Sequence, residues 1–205
     1  CVITFCNKEY LDKARKTIKD LAKVKYSGNI VLMIGDDLLD DFGDINLESN
    51  QRFAVKYFHD IDRSYAIGKM ENKQFGDGRQ YNKTFQWHKI HCFDSYFKKY
   101  DSCLLIDAGT RIFKPIDKIF DIEHKNRLLA HSDAYPDYNR TLENQFEKFY
   151  FDKLFDELES RYNMDADYFQ STVMLYDTNI IHDNMVNDII ELGNKYYNCK
   201  TNEQG

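Results

Sequence analysis

The chain has 205 residues, 34 acidic against 28 basic side chains, a formal charge of −6 and a pI near 5.5. That balance excludes a general nucleic-acid surface, which presents clustered Lys and Arg, so the expected partner is not a polyanion. The length suits one domain with a sizeable core, and with two prolines, nine glycines and no low-complexity tract or solenoid repeat, no linker is expected. Five cysteines (Cys1, Cys6, Cys92, Cys103 and Cys199) form no C-x-x-C pair, and their odd number fits a reducing, cytoplasmic compartment. No stretch approaches the roughly 18 apolar residues of a membrane span, and no secretory leader is visible. The start at Cys1 rather than Met leaves room for a trimmed N-terminus.

In chain order, Val2–Cys6 reads as a buried strand, and Leu11, Ala14, Ile18, Leu21 and Ala22 form a helical stripe after it. Ser27 and Gly28 punctuate before the apolar run Asn29–Gly35, a second strand, and Phe53–Phe58 alternates like a third. Asp60–Asn82 has no clear periodicity and predicts a long loop of the kind that forms lids. A helix from Trp87 leads into the strand Cys103–Ile106, which ends on Asp107 and small residues, with a short helical pattern through Ile116, Ile119 and Phe120 beyond Pro115. Another strand lies in 127–135, an amphipathic helical region in 141–162, a further buried strand in 168–176, and a last helix from Met185 to Tyr197. Strands alternating with helices predict a doubly wound, mostly parallel α/β sheet whose ligands bind at the strands' carboxyl ends. Neither a P-loop nor a dinucleotide fingerprint is present, Gly76–Arg79 being too short and too late, so phosphates must be held another way.

The segment Asp107-Ala108-Gly109-Thr110, closing an apolar strand, resembles the aspartate motif of GT-A glycosyltransferases, in particular glycosyltransferase family 8 and its glycogenin branch, where the pattern is DADT. Lys89, Ile90, His91, Cys92 and Phe93 match that family's Lys-Leu-His-Cys-aromatic segment. Asp167–Thr178 is similar to its "FNSGV" strand, and the terminal NEQG to its "GDQG" motif. The resemblance covers most of the chain and implies a single GT-A domain over 1–205, with a nucleotide-sugar-binding half in 1–125 and an acceptor-side half in 126–205.

From the same resemblance, Thr4, Phe5, Asn7 and Tyr10 occupy the places that hold the uracil and ribose, Tyr10 by stacking or as ordinary core. Asp107 and Ala108 are expected at the donor, Asp107 touching the ribose or a metal, or else capping a turn. Lys89 matches the phosphate-facing lysine, with Arg111 as a second cation. Glu203 and Gln204 match the Asp-Gln pair beside the transferred sugar, and Asp133, near His131 and Asp137, is a candidate to orient the acceptor hydroxyl. Mn²⁺ or Mg²⁺ would suit such hard oxygen ligands, but Gly109 removes the second acid of the motif, which puts the metal in doubt. Gln170 and Thr172 depart from the family's Asn and Gly. His88 and His91, three apart on the expected helix, are metal-compatible in spacing but lack a nameable third ligand.

The expected function is transfer of a hexose from a UDP-sugar to an acceptor hydroxyl on a glycan, protein or small molecule, with retention. The alternative is a catalytically silent sugar-nucleotide or glycan-binding module, and a sugar nucleotidyltransferase ranks last because its glycine-rich loop is absent from Thr4–Tyr10.

Overall fold

The computed structural model describes residues 1–40, 52–71, 83–132 and 140–200. Contacts cluster into two compact units that interleave along the sequence. One comprises Cys1–Asp60, His91–Ala130 and Thr172–Asp183, the other Ile61–Ile90, His131–Ser171 and Asn184–Gly205.

The first unit is organised by a six-stranded sheet. The run Val2–Cys6 (β1), wholly buried, is followed by helix Leu11–Lys23 (α1), then by the equally buried Ile30–Ile34 (β2) and by Phe53–Tyr57 (β3). Ser102–Ile106 (β4), Leu128–Ser132 (β5) and Phe169–Asp177 (β6) complete it in the order β3-β2-β1-β4-β6-β5. β1, β2, β3 and β4 are parallel, and β6 runs antiparallel to β4. Continuous apolar runs form the central strands because both faces of a parallel sheet are covered. Val2, Cys6, Ile30, Leu32 and Ile34 share a core cluster with Ala14, Ile18 and Leu21 of α1.

The stripe on α1 is only partly the expected one. Ala22 is exposed, while the polar Thr17 and Asp20 are buried. Both reach across to the chain that follows β4, as described below.

Two expectations are corrected. The stretch expected to be a loop contains a helix, Ser64–Met70 (α2). The helix expected from Trp87 is instead two 3₁₀ segments, Thr84–Phe93 and Ser95–Lys99, the second started by the Asp94 carboxylate accepting from the Tyr96 amide. Residues 141–162 likewise divide into a short 3₁₀ turn and helix Asp152–Arg161 (α3), and helix Met185–Lys195 (α4) closes the described chain.

In the second unit, Phe146, Phe155, Leu158, Met164 and Tyr196 form one apolar cluster, and Ile61, Trp87 and Ile90 a second, against Val186, Ile189 and Ile190 of α4. Arg63 lies over the Trp87 ring at 3.6 Å and donates to Asn194 Oδ1 and the Gly193 carbonyl. No helix among the described residues is long and apolar enough to cross a membrane. All five cysteines are free thiols.

Candidate functional site at the carboxyl edge of the sheet

The strand order reverses between β1 and β4, and a crevice outside the carboxyl ends at such a reversal is where open α/β sheets hold ligands. Four loops of the first unit meet this edge: those after β1 (from Asn7), β2 (from Gly35), β3 (from Phe58) and β4 (from Asp107). The ends of β1, β2 and β3 are level, since Cys6 pairs with Ile34 and Ile34 with Tyr57.

The loop after β4 is a tight turn. The Thr110 amide donates to the Asp107 carbonyl at 3.1 Å, and Gly109, the third residue of the turn, has φ = +97°. A positive φ at that place is the requirement of a type II turn, which glycine meets without strain. The buried polar residues of α1 hold the turn. Thr17 Oγ1 accepts from the Gly109 amide at 3.0 Å and donates to the Thr110 carbonyl at 3.0 Å. Asp20 then takes the Arg111 Nε at 2.6 Å and the Ile112 amide at 3.3 Å. From the other side, the Asp107 amide donates to the Thr172 carbonyl of β6 at 2.9 Å. Asp107 is therefore carried on a frame fixed by α1 and β6, with its side chain half-buried.

Thr4 is fully buried within β1, and Phe5 nearly so, which places both in the floor of the sheet. The Asn7 side chain accepts from the Tyr10 amide at 3.1 Å and so starts the turn into α1. Tyr10 is 39% exposed, with Lys13 Nζ 4.0 Å from its ring centroid. Ala108 is half-buried beside Asp107. Arg111, expected as a phosphate partner, has its guanidinium on Asp20, whose carboxyl this pairing holds down at about 2.

In the other unit, Lys89 is buried and its Nζ donates to Ser171 Oγ at 2.8 Å. Asp133, Glu203 and Gln204 lie outside the described residues.

Sequence reasoning missed a polar cluster at the ends of β2 and β3. Tyr57 OH donates to Asp36 Oδ1 at 2.5 Å, and His59 Nδ1 lies 2.6 Å from that hydroxyl and 3.1 Å from the same carboxylate oxygen. Because the tyrosine's one proton goes to Asp36, the His59 contact is satisfied only with hydrogen on Nδ1. These bonds, and the Asp60 amide on Oδ2, hold the Asp36 carboxyl below its ordinary range, and the carboxylate pushes the Tyr57 phenol up to about 12. The His91 ring stacks on Phe58 at 4.6 Å and donates Nε2–H to the His59 carbonyl at 2.9 Å. Burial lowers the pKa of His91 and favours its neutral ring. In the sequence Asp36 and His59 are only the polar residues one place beyond the apolar runs that end at Gly35 and Phe58, with nothing to show that they meet.

Does this edge fit a divalent cation? Asp107 supplies one carboxylate, the turn forbids a comfortable second acid at Gly109, and among the described residues no group of three or more His, Cys, Asp or Glu is placed to hold a metal ion. Around Asp107 the described residues alone do not assemble a ligand set for a resident divalent cation.

No protein-family model matches the chain, and no curated protein matches it. Solved structures do. An active-site mutant of LgtC superposes with a TM-score of 0.61 at 12% identity, over 97% of this chain and 65% of that one. The glycosyltransferase GlyE of Streptococcus pneumoniae gives 0.60 at 13% identity, over 99% of this chain and 41% of that one. Core-mannan synthase A of Aspergillus fumigatus, in its Mn/GDP form, gives 0.57 at 13% identity, over 99% and 66%. The fold is that of GT-A glycosyltransferases. The chain spans between two fifths and two thirds of the length of these three structures.

Proposed function

We propose that the chain transfers a hexose from a UDP-sugar to an acceptor hydroxyl, with retention, and that residues 1–205 act as one GT-A domain. The observation that carries the reading is the placement of Asp107 at the carboxyl end of β4, beside the strand reversal, on a turn held from both sides. In this reading the loops after β1, β2 and β3 receive the nucleoside, with Asn7 and Tyr10 beside it, and Asp107 and Ala108 face the ribose and diphosphate. Lys89, by its resemblance, is proposed for the phosphates, and Glu203, Gln204 and Asp133 for the sugar and acceptor.

The bond from sugar C1 to the β-phosphate oxygen breaks and its electron pair leaves with UDP. The acceptor oxygen bonds C1 on the same face and its proton passes to the leaving phosphate oxygen. The protein supplies positioning and offsets the charge that builds on the leaving group.

A silent nucleotide-binding module is the second reading, favoured by Gly109 in place of an acid. Thermal unfolding with UDP, several UDP-sugars and control nucleotides, with Mn²⁺ and again with EDTA, separates them. Ligand at 100 times its dissociation constant adds about 2.7 kcal/mol, a shift of several degrees for a chain of this size. Stabilisation by a UDP-sugar with release of UDP on adding acceptor supports transfer, and stabilisation without turnover supports the module. No shift with any uridine nucleotide, or an unchanged shift in Asp107→Ala, removes the donor site.

A further inference from the structure

If no divalent cation sits at this edge, the donor's two phosphates need another positive partner, and the cation that reaches the strand reversal is one that sequence reasoning passed over. Lys13 lies in the first turn of α1, directly after the β1 loop. Its methylenes run over the turn after β4. A Cβ built on Gly109 would meet Lys13 Cδ at 3.4 Å, Cβ at 3.6 Å and Cγ at 3.8 Å. Lys13 thus bridges the β1 loop and the β4 turn, the two sides of the crevice where the order of strands reverses.

The electrostatics there favour an anion. The Lys13 ammonium rests 4.0 Å above the Tyr10 ring, while Asp12, the acid nearest in sequence, is taken by Arg15 at 3.1 Å. Arg111, a further cation on this side, is engaged by Asp20. The positive end of α1 adds charge of the same sign to the Lys13 ammonium. The position at which the family motif carries its second acid has no side chain here, so nothing at 109 neutralises the lysine.

We propose that Lys13 is the counter-ion of the donor diphosphate, replacing with a protein ammonium the charge that a divalent cation would bring. A compact ammonium with three donors on a flexible stem can leave the Tyr10 ring and meet phosphate oxygens. Tyr10 would hold it until the ligand arrives. The inference rests on the reading of the edge as a nucleotide-sugar site and says which side chain makes that site work without metal.

The test is the affinity for UDP and for uridine in EDTA, by calorimetry, in the natural chain and in Lys13→Met and Lys13→Arg. Methionine keeps the unbranched stem over Gly109 and the helix, so folding should be retained; thermal unfolding of the free protein checks this. The expected result is UDP binding that survives EDTA, falls roughly ten- to a hundredfold in Lys13→Met and is largely restored in Lys13→Arg, with uridine affinity unchanged. Binding of UDP that requires Mn²⁺, or that Lys13→Met leaves intact, overturns the inference while the donor-site reading stands. An equal loss for uridine and UDP also overturns it, by showing a role in shaping the loop. Failure of every uridine compound to bind the natural chain overturns both.

Discussion

Arg111 and Asp20 form a two-point pair across 91 residues, Nε to Oδ2 at 2.6 Å and Nη2 to Oδ1 at 3.3 Å, with the aspartate side chain only 4% exposed. The pair ties α1 to the chain directly after the Asp107 turn. Asp20 also accepts from the Ile112 amide. Removing the carboxylate strands a backbone donor as well as the guanidinium, whereas removing Arg111 leaves Asp20 with the Ile112 amide and with Lys23 at 3.6 Å. Asp20→Ala should therefore lower the melting temperature by roughly 4–8 °C and Arg111→Ala by about half as much. Thermal denaturation of the two variants measures this, and equal losses would contradict the assigned geometry.

The same pair sets the response to acid. Asp20 titrates at about 2 in the folded chain against an ordinary 3.8, and Asp36 and Asp177 are also lowered, the latter by the Asn126 and Asn179 amides. A carboxyl with a depressed folded pKa contributes stability that is complete above its unfolded pKa and is lost as pH falls through the folded one. Asp60, raised by burial, works in the opposite sense. With Asp62 and Glu157 lowered as well, five lowered carboxyls against one raised among the described residues predict a melting temperature that falls steeply between about pH 4 and pH 2. In Asp20→Asn that fall should be shallower.

Gly193 in α4 faces Trp87 so closely that an added Cβ would lie 2.3 Å from the ring's Cη2 and 3.2 Å from Arg63 Nη1. The indole is itself covered by Arg63 and cannot swing away cheaply. Gly193→Ala, mild on an open helix face, should here cost about 1–3 kcal/mol by overpacking. Urea unfolding checks the value, and a gain in stability would show that the ring is free to move.

The thiols divide into two classes. Burial pushes Cys6 up to about 12 and Cys103 up to about 11, and Cys92 is also fully enclosed, while Cys1 and Cys199 are half-buried. Native titration with a disulfide reagent at pH 8 should consume two thiols quickly and the remaining three only after unfolding.

What could be read from the residues was whatever depends on neighbours in sequence. Val2–Cys6 and Ile30–Ile34 were legible because burial on both faces leaves almost nothing polar in a central strand, and Phe53–Tyr57, half-buried at the sheet edge, because it alternates. The acid at the end of β4 was legible for the same reason, as the first polar residue after such a run. α2 was not, being seven residues long with a glycine inside and no side-chain cap. Thr17 and Asp20 break the apolar stripe of α1, and their partners lie more than 90 residues away. The Asp36, Tyr57 and His59 cluster exists only once β2 and β3 pair, and no local pattern announces a contact of that kind.

The positive φ of Gly109 bears on any attempt to engineer this edge. Introducing aspartate there would give the loop its second carboxylate on paper, at a backbone cost of about 1–3 kcal/mol for an L-residue in that conformation. To relieve it, the residue would have to rotate out of the turn, loosening the Thr110 amide from Asp107 and its own amide from Thr17. A designer who wanted manganese dependence would have to remodel the main chain from Asp107 to Arg111 first, because the obstacle is a torsion angle and not a missing functional group.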